Sequence, residues 1–285
     1  MSVKHTLLII FVVFVLGSAY PTTKLGLNAS VPPILFGSLR MFLVFICLVF
    51  FCDFSKFKRQ YLYPLILFGL SMGMAVNLFL YLSVNASNIL APIQIITPLS
   101  IPLAILLSSI FIGEKIKKLE WILIFTSLFG AILIGFDPKV FDEFLGLFLM
   151  TCMTIFYALA QVSSRYIKDI DVKLTNCIMG LIGFLTLLIL SLIFEGDVIN
   201  NFKNINSAGW ILVLYHGIVC SLMGHMMMFY LYKFYPVGKV LPFYALLPVF
   251  GIIISFFIFG EIPTPIMTIA GIIVVTSIFF LQKIR

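Results

Sequence analysis

Apolar residues in this chain fall into a succession of runs, each apolar on every face and each closed by a short polar connection. A helix rises about 1.5 Å per residue, so about 20 apolar residues cross the roughly 30 Å hydrocarbon core of a bilayer. At that length the pattern predicts ten helices: 6–24, 34–52, 63–83, 89–112, 120–136, 144–166, 174–194, 209–232, 238–259 and 266–282. The longest connection, 195–208, is too short for a soluble domain. Helices that are apolar all round belong in lipid. The expected fold class is therefore all-α integral membrane.

Part of the pattern is written twice. Pro92 and Pro98, then Gly113-Glu114 and a second apolar run, recur as Pro242 and Pro248, then Gly260-Glu261 and another apolar run. The segment from Leu16 to Lys24 likewise parallels Tyr157 to Arg165, each ending in a base. Five helices make one unit, so residues 1–137 and 138–285 are expected to be two repeats. Five is odd, so the second enters the membrane from the opposite side and the repeats are inverted. The prolines recur at a shift of 150 but the Gly-Glu pairs at 147, leaving three extra residues in the first copy. Helix 4 is therefore expected to bend differently from helix 9, or to absorb the excess in a small bulge.

Composition fits the bilayer. Of 285 residues, 62% are hydrophobic and 10% charged, against about 25% charged in soluble domains. Five cysteines lie singly within apolar runs, without metal or disulfide spacing. The first run imitates a signal peptide, with Lys4 before it and Gly17-Ser18-Ala19 after its core, but its counterpart at residues 157–165 argues for retention. Placing the N-terminus inside puts 14 of the 18 basic residues on cytoplasmic segments, so both termini are expected in the cytoplasm, with the chain in the inner membrane. The same dispersion gives a basic balance without a nucleic-acid patch. Nothing in the sequence sets an oligomeric state.

An inverted pair of helical units can expose one central site to each side in turn, which points to a secondary transporter. There is no Walker loop, Rossmann fingerprint or zinc spacing, so neither an ATP-driven pump nor a cofactor or metal is expected. The ten helices in two units, the Gly17 to Lys24 run, Pro32-Pro33 followed by Arg40, and the paired Pro…Gly-Glu hairpins together resemble the EamA branch of the drug/metabolite transporter superfamily. The similarity covers nearly the whole chain. Within that branch it is most like bacterial amino-acid metabolite exporters, particularly from Lys233 to Glu261. The resemblance implies a carrier of small metabolites whose cavity is lined by helices 1, 3, 4, 6, 8 and 9.

Uncharged polar residues within those helices are candidate substrate contacts: Asn77 and Tyr81, Gln94, Tyr157 and Gln161, Tyr230 and Tyr244. They could bind both ends of a zwitterion, or simply join helices. Arg40 and His225 are the charge and proton candidates. Arg40 would cost about 2.5–3.5 kcal/mol at a helix centre unless it snorkels or meets an anion. Lys24 has the same choice. His216 lies two and a half turns from His225, on the opposite face, so the two do not easily line one cavity; His225 is nearer mid-membrane, and its competing reading is a hydrogen-bonded core histidine. Pro92, Pro98, Pro242 and Pro248 are candidate hinges. Glu114 and Glu261 are expected to cap the helices that follow them.

The expected function is secondary transport of a small metabolite, an amino acid or derivative, by alternating access, with export favoured. Two readings compete: an importer of nucleotide-like or cofactor metabolites, and a membrane enzyme acting on lipid or isoprenoid substrates. The second would depend on Asp137, Asp142 and Glu143, the outer acidic cluster.

Overall fold

The computed structural model describes residues 2–56, 59–224, 227, 230–231, 234–235 and 240–284, and among them the regular structure is helical throughout. In chain order the long helices are α1 (Val3–Asn28), α2 (Pro33–Val49), α3 (Arg59–Ala86), α4 (Ala91–Ile112) and α5 (Lys118–Ile134). They are followed by α6 (Pro138–Ile167), α7 (Val172–Phe194), α8 (Ser207–Met223), α9 (Pro242–Phe259) and α10 (Pro265–Ile284). Among the described residues seven helices are long and apolar enough to cross a membrane, or eight if α8 and the short helix before it form one span. That short helix, Val198–Asn204, lies in what the sequence reads as a plain connection and meets α8 at 101°. It forms because Asp197 accepts from the N–H groups of Ile199 and Asn200, and Asn206 then caps α8 through Gly209 N.

Large apolar side chains face outward over much of the surface, including Phe125, Phe129, Ile189 and Phe257, the last 79% exposed. In water such a surface would aggregate; in a bilayer it is solvated by lipid tails. The interior is packed by helices that come together across the chain: α2 along α7, α5 along α10, α3 and α4 against α6, and α1 against α9. Glycine sets the closest approach. A Cβ at Gly73 of α3 would lie 2.5 Å from the Met179 carbonyl oxygen of α7, and one at Gly183 of α7 would lie 2.7 Å from the Gly73 oxygen.

The repeated stretches share their breaks. Thr97–Leu99 and Leu241–Leu246 are both 3-10 turns, each leading into a 13-residue α-helix, Ser100–Ile112 and Leu247–Phe259. Each of those helices ends on a left-handed glycine, Gly113 at φ 78° and Gly260 at φ 69°, the conformation glycine adopts without a Cβ penalty. The three-residue mismatch therefore lies before the helices. α4 spends it on a turn of α-helix, Ala91–Ile96, followed by three residues of 3-10, whereas α9 has six residues of 3-10. A 3-10 turn rises about 2.0 Å per residue against about 1.5 Å, so the longer 3-10 stretch recovers part of the missing length. Pro92, Pro98, Pro242 and Pro248 are all buried; Pro92 and Pro242 lie in the first turn of α4 and α9, where a missing N–H removes no helical bond, whereas Pro98 and Pro248 lie where each helix changes from 3-10 to α winding.

α3 and α8 carry a further pair of irregularities that the apolar pattern hides. Gly69–Ala75 and Tyr215–Met223 are wound as π-helix, and each is tied by a polar side chain five residues beyond a carbonyl. Asn77 donates to Met72 O at 3.0 Å, and Ser221 donates to His216 O at 2.8 Å.

Gly73→Ala and Gly183→Ala should each destabilise the protein by about 1–3 kcal/mol, seen as a lower unfolding midpoint in detergent. Gly271→Ala, whose Cβ would meet only Ile95 at 3.5 Å, should leave the midpoint in place. Three equal midpoints would contradict this packing.

Candidate functional site

α2 begins at Pro33, whose fixed φ suits a first turn, and its exposed donors are met by a carboxylate from across the fold. Ile34 N and Leu35 N donate to Glu195 Oε1 and Oε2 at 2.6 and 2.9 Å, and the Ser191 hydroxyl donates to the same carboxylate at 2.6 Å. So anchored, α2 places Arg40 about 10 Å along its axis, near the middle of its 17 residues. Arg40 does not snorkel. Its Nε donates to Ser221 Oγ of α8 at 2.8 Å. The guanidinium lies beside the Tyr81 hydroxyl, and its charge acts on Tyr20, Tyr157, His216 and Cys220 as well. Among the described residues the one ion pair is Arg165 with Glu114; no carboxylate reaches Arg40.

Hydroxyls and one imidazole surround that cation. His216 is fully buried in the π segment of α8. Its Nε2 lies 2.9 Å from Thr22 Oγ1 of α1 and its Nδ1 3.4 Å from the Tyr81 hydroxyl of α3, with the Phe36 ring edge-on at 5.1 Å. Tyr20 OH meets Thr97 Oγ1 at 2.7 Å at the 3-10 turn of α4, and Ser18 Oγ meets Tyr215 OH at 2.6 Å. Polar groups from α1, α2, α3, α4 and α8 thus converge around one positive charge.

The candidates from the sequence divide. Tyr81 is fully buried at the centre of this cluster. Tyr157 is partly buried on α6, within the field of Arg40, and Gln161 is partly buried one turn further on. Asn77 is buried, but its amide is used on Met72 O and Gly73 O, so it holds the π segment of α3 rather than facing a cavity. Gln94 joins α4 to α9 through Ser255 Oγ at 3.0 Å, and its buried Oε1 has no partner among the described residues. Tyr230 must be reassigned: 45% exposed, it packs at the chain's other end against His5 and Phe234. Tyr244 packs in a cluster with Ile9, Val12 and Val13 of α1. His225 lies outside the described residues. Thr22, Tyr20, Thr97 and Ser221 are not among the candidates read from the sequence, where His216 figures only as facing away from His225; Ser221, five residues after His216, was the available signal.

The ends of the helices are held by charged groups. Lys24 does not snorkel either: its Nζ donates to Val84 O at 3.2 Å and Ser87 O at 2.5 Å, closing the C-terminal end of α3. The turn from there into α4 is held by Glu143, which accepts from Asn88 N at 2.9 Å, and by Glu261, which accepts from Leu90 N at 3.0 Å. Glu261 therefore caps α4 and not the helix that follows it; that helix, α10, is capped by Thr264 Oγ1. Glu114 pairs with Arg165 at the end of α6, while α5 is capped by Glu120 through Lys117 N. Asp137 accepts from Lys139 N and from the Thr264 hydroxyl. Asp137 and Glu143 are thus occupied as structural acceptors, which removes most of the acidic cluster an enzyme reading requires.

Long apolar helices packed around a polar interior define a multi-pass membrane protein, and the family match identifies it as a membrane transporter. The chain belongs to the EamA-like transporter family, which matches it twice, over residues 4–136 and 144–282. It is 22% identical over 289 residues to the "Probable amino-acid metabolite efflux pump" of Escherichia coli (strain K12), covering 98% of this chain and 95% of that protein. A protein of known crystal structure, 16% identical, shares the fold with a TM-score of 0.63, covering 98% of this chain and 96% of that one.

Burial pushes the Glu261 carboxyl above the ordinary carboxylate range; the Leu90 N–H and the Lys24 charge oppose this and Glu143 adds to it. A carboxyl raised in the fold binds protons more readily folded than unfolded, so its contribution to stability is greatest at low pH and declines as pH rises from the ordinary to the raised value. The unfolding midpoint of the wild type relative to Glu261→Gln should therefore fall across that window. A difference that is flat with pH would contradict it.

Proposed function

We propose that this protein is a secondary transporter that moves a small metabolite, an amino acid or a derivative, across the inner membrane by alternating access, with export the favoured direction. The observation that carries the reading is Arg40: a cation at mid-helix, ringed by hydroxyls, with no carboxylate in reach among the described residues. A half-buried charge midway along a membrane helix needs a partner, and a substrate carboxylate supplies one. The E. coli relative's description as an efflux pump for amino-acid metabolites supports both the substrate class and the direction.

The proposed architecture is ten helices in two inverted five-helix units, 1–137 and 138–285, with both termini in the cytoplasm. Its support is the paired 3-10 turns, left-handed glycines and π segments, together with the sorting of contacts. Lys24, Glu143, Glu195 and Glu261 act at turns expected outside, and Arg165 with Glu114 at turns expected inside. Tyr81 and Tyr157 remain the favoured lining residues from the original set, joined by Tyr20.

Proteoliposomes preloaded with unlabelled amino acids should take up labelled ones by saturable exchange, and labelled nucleotides or isoprenoid phosphates should not exchange. A charge-assisted hydrogen bond contributes about 1.5–3 kcal/mol, so Arg40→Gln should lower exchange by roughly 10-fold to 100-fold at unchanged folding. Absence of saturable exchange across all twenty amino acids, or full activity in Arg40→Gln, would sink the reading.

A further inference from the structure

The hydrogen atoms around Arg40 can be assigned from the heavy-atom distances, and they single out His216. Thr22 Oγ1 lies 2.7 Å from Ser18 O. A carbonyl oxygen carries no hydrogen, so the one hydroxyl hydrogen of Thr22 occupies that contact. The 2.9 Å contact from Thr22 Oγ1 to His216 Nε2 must then be made by a hydrogen on Nε2. In the neutral ring this leaves Nδ1 with a bare lone pair, and the Tyr81 hydroxyl facing it at 3.4 Å is the donor. The Tyr81 oxygen is left with its lone pairs for the guanidinium beside it.

The same reasoning applies to Ser221. Its hydroxyl hydrogen lies on His216 O at 2.8 Å, so its oxygen accepts from Arg40 Nε at 2.8 Å. The i to i+5 reach of that serine follows from the π winding of Tyr215–Met223, which sets residue 216 above residue 221. His216 thus holds the Ser221 acceptor on Arg40 through its carbonyl and orients the Tyr81 hydroxyl in the field of Arg40 through its ring.

We propose that His216 is the positioning residue of the Arg40 site. Its Nε2-protonated tautomer, set by Thr22, turns the Tyr81 hydrogen away from the cation and holds Ser221 on Nε, so that the two terminal guanidinium nitrogens are presented to a substrate carboxylate. With Nε occupied, the carboxylate binds end-on across the terminal pair, the geometry of a fork meeting a fork. The inference rests on the carrier reading above for its substrate, but the tautomer is a property of the protein alone.

Two measurements test it separately. In protein labelled with ¹⁵N-histidine and reconstituted in lipid, the resonance lost in His216→Asn should be that of a neutral ring protonated at Nε2; an Nδ1-protonated or doubly protonated ring would overturn the proposal whether or not any amino acid is transported. For exchange, the probe is whichever of the twenty labelled amino acids the wild type exchanges fastest, with its carboxamide as comparison. His216→Leu should raise the KM for the amino acid about 10-fold with Vmax within about twofold, and leave the carboxamide KM unchanged. His216→Asn, whose Oδ1 can take the acceptor place of Nδ1, should recover most of the amino-acid KM. Equal losses for acid and carboxamide, or no recovery in His216→Asn at wild-type unfolding midpoint, would reduce His216 to packing and overturn the proposal. Wild-type exchange bears on the carrier reading independently of these variants.

Discussion

A guanidinium midway along a lipid-embedded helix dominates the interior of this protein. Arg40 would cost about 2.5–3.5 kcal/mol at the centre of an isolated helix, and the fold offsets that cost with neutral acceptors rather than with a counter-charge. This requires α2, α3 and α8 to approach closely. Gly37 accepts the Tyr81 ring, where a Cβ would lie 3.2 Å from it, and Gly217 accepts Leu43, where a Cβ would lie 2.5 Å from its Cδ1. Leu or Val at either position would separate the helices that supply the acceptors. The π winding of α8 belongs to the same solution, since it brings the Ser221 hydroxyl under the His216 carbonyl.

Backbone satisfaction shapes the rest. In hydrocarbon a helix end without partners is expensive, and here the partners are drawn from distant parts of the sequence. Glu195 serves α2, Glu143 and Glu261 serve the start of α4, and Lys24 serves the end of α3. Three of these four contacts join opposite halves of the chain and only that of Lys24 stays within one, so the halves are interlocked at their helix ends as well as along their apolar faces.

The helices were legible in the sequence because apolar run length is a direct consequence of bilayer thickness; the run 144–166 is the helix Phe144–Ser164, and 266–282 is Pro265–Ile284. The left-handed caps at Gly113 and Gly260 were visible as the repeated Gly-Glu. The π segments were not, because a π turn and an α turn use the same apolar residues and differ only in which carbonyl is reached. The target of Glu261 was hidden for another reason: Leu90 is 171 residues away, and local spacing points instead to the next helix. His216 looks peripheral when counted from the end of its apolar run, yet it lies in the field of Arg40 because α2 and α8 pack together there. Tyr230 erred the other way, facing the N-terminal His5 rather than the interior.

The two carboxylates on the turn from α3 into α4 carry a consequence for biogenesis. Asn88 N and Leu90 N enter the membrane with the first repeat, but their acceptors are Glu143 and Glu261, the second of which is made only 171 residues later. A nascent chain stopped before residue 261 leaves the Leu90 N–H without its acceptor at the mouth of α4. The start of α4 therefore acquires its native hydrogen bonds long after it is synthesised.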